Sequence, residues 1–148
     1  MEMGRIMGLD IGDRTIGVAV SDLLGITAQG VQTIKRRNFQ WDLQQLEKVI
    51  KKHGVGKIIV GLPKNMNGTI GAQGEKVLAF AEKLEKTTGI PVEAWDERLT
   101  SVSAEKFLLE GDMSRKKRKE VIDKIAAVII LQNYLDYKEL KGGRVKDV

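Results

Sequence analysis

Three short apolar stretches open the chain, at residues 5–11, 15–21 and roughly 27–35; they are rich in Ile and Val and separated by glycine-bearing turns. Spacing this close predicts antiparallel hairpins, because parallel neighbours need a long crossover. The period then lengthens. Leu43, Leu46, Val49 and Ile50 fall on one helical face, and Gly54 is a good terminator after Lys51, Lys52 and His53. KIIVG at 57–61 reads as a short buried strand, and a Gly-rich loop runs from 62 to about 71. A second helix is predicted over 72–87, with Val77, Phe80, Ala81 and Leu84 inward. Gly89 ends it and Pro91 opens a strand at 92–97. Thr100 or Ser101 can cap a third helix through Leu109, residues 111–115 read as a loop, and a last helix runs from about 117 to 137.

The order β-β-β-α-β-α-β-α-α predicts an α/β fold. Its mixed five-stranded sheet has three antiparallel then two parallel strands and is flanked by helices, the outline of a ribonuclease H-like fold. Residues 1–140 form one domain in this reading, and 141–148 a flexible tail.

Three acidic positions break the apolar pattern. Asp10 sits mid-strand in GLDIG, on the face shared by Ile6 and Gly8. A carboxylate there is costly to bury unless it is paired or binds a cation; hydrogen bonding to the Gly12–Arg14 turn is the ordinary alternative. Asp123 precedes Ala126, Ala127, Ile130 and Tyr134 by three, four, seven and eleven positions, so it shares the stripe that packs on the sheet. An acidic first-turn residue would suit the helix dipole, but that explains the charge and not the face. Asp96-Glu97-Arg98 ends a strand at the sheet's carboxyl edge, where α/β sheets bind ligands. A surface ion pair is the simpler explanation there. Alternation puts Asp96 and Glu97 on opposite faces, so only one of them joins any cluster.

Composition narrows the chemistry. Cysteine is absent and His53 is the only histidine, which excludes disulfides, thiolate zinc sites, iron–sulfur clusters and a cysteine nucleophile, and argues against a Ser-His-Asp triad. Any metal is held by oxygen ligands, which suits Mg²⁺ or Mn²⁺. Two such ions ~4 Å apart can activate a water and stabilise a leaving oxygen of a phosphodiester. The longest apolar run, Ile125 to Leu131, has seven residues, against the ~20 of a membrane span. The first residues show no signal-peptide core, so a cytoplasmic location and no membrane partner are expected. The net charge of +5 leans towards a polyanionic partner.

GLDIGDRTIGVAVSD at 8–22, IIVGLPKNMNGT at 58–69, WDERLTS at 95–101 and DKIAAVIILQNYLD at 123–136 resemble, in order and spacing, the four blocks of the YqgF/RuvX family. The resemblance spans about residues 4–137. It implies a ribonuclease H-like fold and a nuclease that matures the 5′ end of pre-16S rRNA, or a Holliday junction resolvase as the family was earlier described. Carried onto matching positions, it implies an acidic metal-binding and catalytic triad of Asp10, Glu97 and Asp123. Asp13 departs from the small hydroxyl residue expected there and adds a negative charge near the first ligand.

Basic residues supply the other half. Arg115, Lys116, Lys117, Arg118 and Lys119 run directly into the helix bearing Asp123. A solvated helix start would account for them, yet cations are disfavoured at a helix N-terminus, which invites a phosphate-binding role. Arg14 and Arg98 lie within a few residues of proposed ligands. Lys64 and Asn65, with Asn67 and Thr69, crowd the loop after the fourth strand, where they can meet a nucleic-acid backbone. That loop lacks the Gly-Lys-Ser/Thr ending of a P-loop. Trp41 and Trp95 read as packing residues. The expected partner is structured RNA (precursor rRNA or a ribosomal particle) or branched DNA, and the expected assembly a monomer or weak homodimer. A non-catalytic nucleic-acid-binding module is the competing class. An ATPase of the sugar-kinase type is a third, but it needs two related domains around its nucleotide.

Overall fold

The computed structural model describes residues 4–65, 67–96 and 115–139. Among them run β1 (Arg5–Ile11), β2 (Thr15–Ser21), β3 (Ala28–Lys35), α1 (Phe39–His53), β4 (Val55–Leu62), α2 (Ala72–Thr88), β5 (Val92–Asp96) and α3 (Arg115–Lys138). The expected third helix over 100–109 and the tail at 141–148 lie outside the described residues. The strands form one sheet in the order β3-β2-β1-β4-β5. β1–β2 and β2–β3 are antiparallel; β1–β4 and β4–β5 are parallel. This is the expected mixed sheet.

Alternation sorts each strand between two apolar clusters. Met7, Leu9 and Ile11 of β1 join Ile16, Val18, Ile58 and Val60 under α1 and α2, with Leu46, Val49, Val77, Phe80 and Leu84 packed against them. Ala19 and Ile59 face the other way, against Ala127, Ile130, Leu131 and Tyr134 of α3. All four inward residues expected of α2 are buried.

Local chemistry sets the helix ends. Asn38 caps α1 by accepting from the Trp41 N–H at 2.9 Å, which starts the helix four residues before Leu43. Gly54 closes it in the left-handed region at φ 64°, donating to the Ile50 carbonyl. α3 begins at Arg115 rather than 117: Arg and Lys are good helix formers, and this propensity opposes the unfavourable dipole.

The loop after β4 is self-braced. The Asn65 side-chain amide donates to Thr69 Oγ1 at 2.8 Å, and the Thr69 N–H and hydroxyl both donate to Asn67 Oδ1. These bonds hold the loop's shape between β4 and α2. Far from this edge, Lys57 donates to the Tyr134 hydroxyl at 2.7 Å and pairs with Glu93 at 2.9 Å. Burial alone would push the Lys57 ammonium down, but those two partners outweigh it and hold it above its ordinary value. Trp95 meets Tyr134 edge-on with centroids 5.5 Å apart, so it packs α3 onto β5, as expected of a packing residue. Among the described residues no helix is long and apolar enough to cross a membrane.

Candidate active site

Parallel pairing aligns the carboxyl ends of three strands on one edge. Leu9 lies beside Val60, and Leu62 beside Asp96. Asp10, the loop after β4 and the end of β5 therefore share that edge. Asp10 is half-buried near the end of β1. Its partner across the antiparallel pair is Gly17, at a Cα separation of about 4.5–5.5 Å.

Gly17 also supports α3. A Cβ built on it would lie 1.9 Å from the Asp123 carbonyl oxygen and 3.2 Å from the Lys124 nitrogen. Directly opposed residues in an antiparallel pair point to the same face, so Asp10 and Asp123 flank Gly17 on the α3 side of the sheet. Gly8, two positions before Asp10, makes the same allowance: its Cβ would lie 2.7 Å from that of Leu131. Bare backbone at these two strand positions lets the helix approach closely enough to bring its acidic residue beside the strand's.

Asp123 is 8% exposed. The Thr15 hydroxyl, at the start of β2, donates to its Oδ2 at 2.5 Å, a short, charge-assisted contact that fixes the carboxylate's orientation. Sequence reasoning missed Thr15, and only the contact with α3 reveals its part.

Among the described residues no group of three or more His, Cys, Asp or Glu gathers around a common point; the acidic pair of Asp10 and Asp123 is what this face offers. Glu97 and Arg98 lie outside the described residues. Asp96 faces the other way: Val92 and Ala94, which alternate with Trp95, pack on the α1/α2 side, and Asp96 follows their period. Asp13 also turns from the pair and meets Lys76 of α2 at 3.4 Å. Arg14 is exposed in the β1–β2 turn at the same edge, and Lys64 is half-buried in the loop after β4. Arg115–Lys119 are the first five residues of α3.

The pair and the Thr15 hydroxyl form an all-oxygen donor set, half-buried and confined to one face. Such a set fits a hard divalent cation completed by water and substrate phosphate. It offers no histidine and no thiolate.

A sequence profile of the family described as "RuvX: Holliday junction resolvase" matches residues 4–137. A protein of Clostridioides difficile named "Putative pre-16S rRNA nuclease" is 65% identical over 135 residues, covering 91% of this chain and 96% of its own. One of the same name from Caldanaerobacter subterraneus is 61% identical, covering 89% and 96%. RuvC of T. thermophilus, solved with a Holliday junction substrate, shares the fold at a TM-score of 0.60 and 13% identity, covering 94% of this chain and 97% of that one.

Proposed function

The chain belongs to the RuvX family across residues 4–137, and from that premise we propose that it is a metal-dependent endonuclease that matures the 5′ end of pre-16S rRNA in the cytoplasm. The observation that carries the reading is the meeting of Asp10 and Asp123 at Gly17. Two carboxylates from elements more than a hundred residues apart share one face, an arrangement that suits a divalent cation completed by water and phosphate. Glu97 completes the set in this reading.

Asp10, Asp123 and Glu97 would hold Mg²⁺ or Mn²⁺, which supplies an activated water and charge stabilisation at the phosphorus when bound. The chain's own residues hold the geometry. The Thr15 hydroxyl orients Asp123, and Gly17 sets the distance between strand and helix. Arg14, Lys64, Asn65, Arg98 and Arg115–Lys119 are the phosphate-positioning set in this reading.

The decisive assay incubates the protein with precursor 16S rRNA and with four-way DNA, each with and without Mn²⁺. Metal-dependent cutting of the RNA is expected. Cutting only the junction would favour the family's resolvase description, which requires two paired active sites. Cutting neither would favour a binding module.

Two further outcomes are expected. Thr15→Val should lower metal-dependent cleavage by roughly 10–100-fold, the usual cost of losing a partner that orients a ligand. Thr15→Ser should restore most of it. Equal rates in both variants and the wild type would remove Thr15 from the site. In a thermal melt, Mn²⁺ at about ten times its dissociation constant should stabilise by ~1.4 kcal/mol, a rise of ~3–6 °C for a chain of this size. The Asp10→Asn/Asp123→Asn double variant should show no such rise, and an equal rise there would move the metal elsewhere.

A further inference from the structure

On the opposite side of the sheet from the acidic pair, α1 and α2 leave a cleft of about 470 Å³. Ile11 and Asp13 form its wall towards β1, so it opens where the strand carrying Asp10 ends. Four cations line it, Arg36, Arg37, Lys76 and Lys83, against two carboxylates, Asp13 and Asp42.

The four cations fall into two kinds. Arg36 is structural. It pairs at 3.0 Å with Asp42, which is fully buried in the first turn of α1, and its other donor reaches the Gly12 carbonyl at 2.6 Å. That pair locks the β3–α1 junction to the β1–β2 turn. Lys76 meets Asp13 across 3.4 Å, and both are about two-thirds exposed, so the contact is weak and easily exchanged.

Arg37 and Lys83 differ. Among the described residues neither pairs with a carboxylate. Each is held over an aromatic face instead: Arg37 lies 4.5 Å from the Trp41 ring centroid, and Lys83 lies 4.3 Å from that of Phe39. Such contacts fix a cation's position and leave its charge uncompensated. Two positioned charges facing one cleft, without counter-ions, suit an anion.

We propose that this cleft binds a backbone phosphate of the substrate strand, a few nucleotides from the scissile bond, with Arg37 and Lys83 as its ligands and Lys76 at its mouth. The proposal rests on the nuclease reading and adds a second anchor to it. Asp10 and Asp13 are three residues apart, at most ~10 Å of extended chain. A stacked strand carries one phosphate per ~3.4 Å of axis. A strand held at the acidic pair therefore reaches over the sheet's edge to Asp13, at the cleft's wall, within about three nucleotides. A phosphate there fixes the strand's register without reading its sequence.

The test measures binding in the Asp10→Asn background, so it does not depend on cleavage. The probe is a labelled RNA spanning the 5′ end of precursor 16S rRNA, titrated at several salt concentrations. Arg37→Ala/Lys83→Ala should raise the Kd about tenfold and lower the salt slope by ~0.7–1.4, the share of one or two single-strand phosphates. Lys51→Ala/Lys86→Ala removes the same charge outside the cleft and should change neither. Circular dichroism and melting verify that both variants fold. If both doubles weaken binding equally, or neither does, the cleft is not a phosphate site. Wild-type cleavage of the same RNA, assayed separately with Mn²⁺, tests the nuclease reading: the cleft can fail while cleavage stands, and the reverse.

Discussion

Asp10→Asn should abolish cleavage and leave the protein folded. Asparagine keeps the shape of the side chain and removes its charge. A bound divalent ion contributes several kcal/mol of charge stabilisation at the transition state, and losing ~4 kcal/mol lowers the rate by about a thousandfold. The stability half rests on metal linkage: Mn²⁺ should raise the melting temperature of the wild type and leave that of the variant nearly unchanged. Single-turnover cleavage and melts with and without metal read both halves. Wild-type cutting by the variant would remove Asp10 from the chemistry. A clear loss of stability in EDTA would make it a structural residue tied to the β1–β2 turn.

What the sequence disclosed follows from periodicity. The alternation in GLDIG put Asp10 on the Ile6 and Gly8 face, and the helical stripe through Ala126, Ala127, Ile130 and Tyr134 put Asp123 against the sheet. Those apolar partners and Asp123 are buried together on α3. The same alternation left Asp96 and Glu97 as alternatives, and the packing of Val92 and Ala94 sends Asp96 away from the acidic pair. Other features depended on contacts between different elements. Asp42 looks like an ordinary first-turn acid until Arg36 folds over it. Thr15 is the first residue of a strand, and only the landing point of α3 makes its hydroxyl a partner of Asp123. Asp13, read as an added negative charge near the first ligand, meets Lys76 of α2. None of these has a periodic signature, since each joins two different elements.

Gly17→Ala should damage both the fold and the site, because one methyl group separates the helix from the sheet at the place where the acidic residues meet. Its Cβ would lie 1.9 Å from the Asp123 carbonyl oxygen and 2.5 Å from that carbonyl's carbon, where real Cβ atoms essentially never come closer than 3.0 Å. The obstructing atoms are helix backbone, so no side chain can rotate out of the way and α3 itself must lift. Overpacking of this kind costs ~1–3 kcal/mol and occasionally more, a drop of several degrees in melting temperature at ~2–4 °C per kcal/mol. The lift also draws Asp123 away from Thr15 and from Asp10, and a ~1 Å misplacement of catalytic groups can cost about a hundredfold in rate. Gly30→Ala is the matched control. It lies on β3 under the same helix, but its Cβ would meet side-chain atoms, Cγ and Cδ of Lys124 and Cγ2 of Val128, rather than helix backbone. That variant should lose clearly less stability and activity than Gly17→Ala. If Gly17→Ala matches it in both measurements, α3 does not depend on the bare backbone of β2 for its approach, and the acidic pair is held together by something other than that contact.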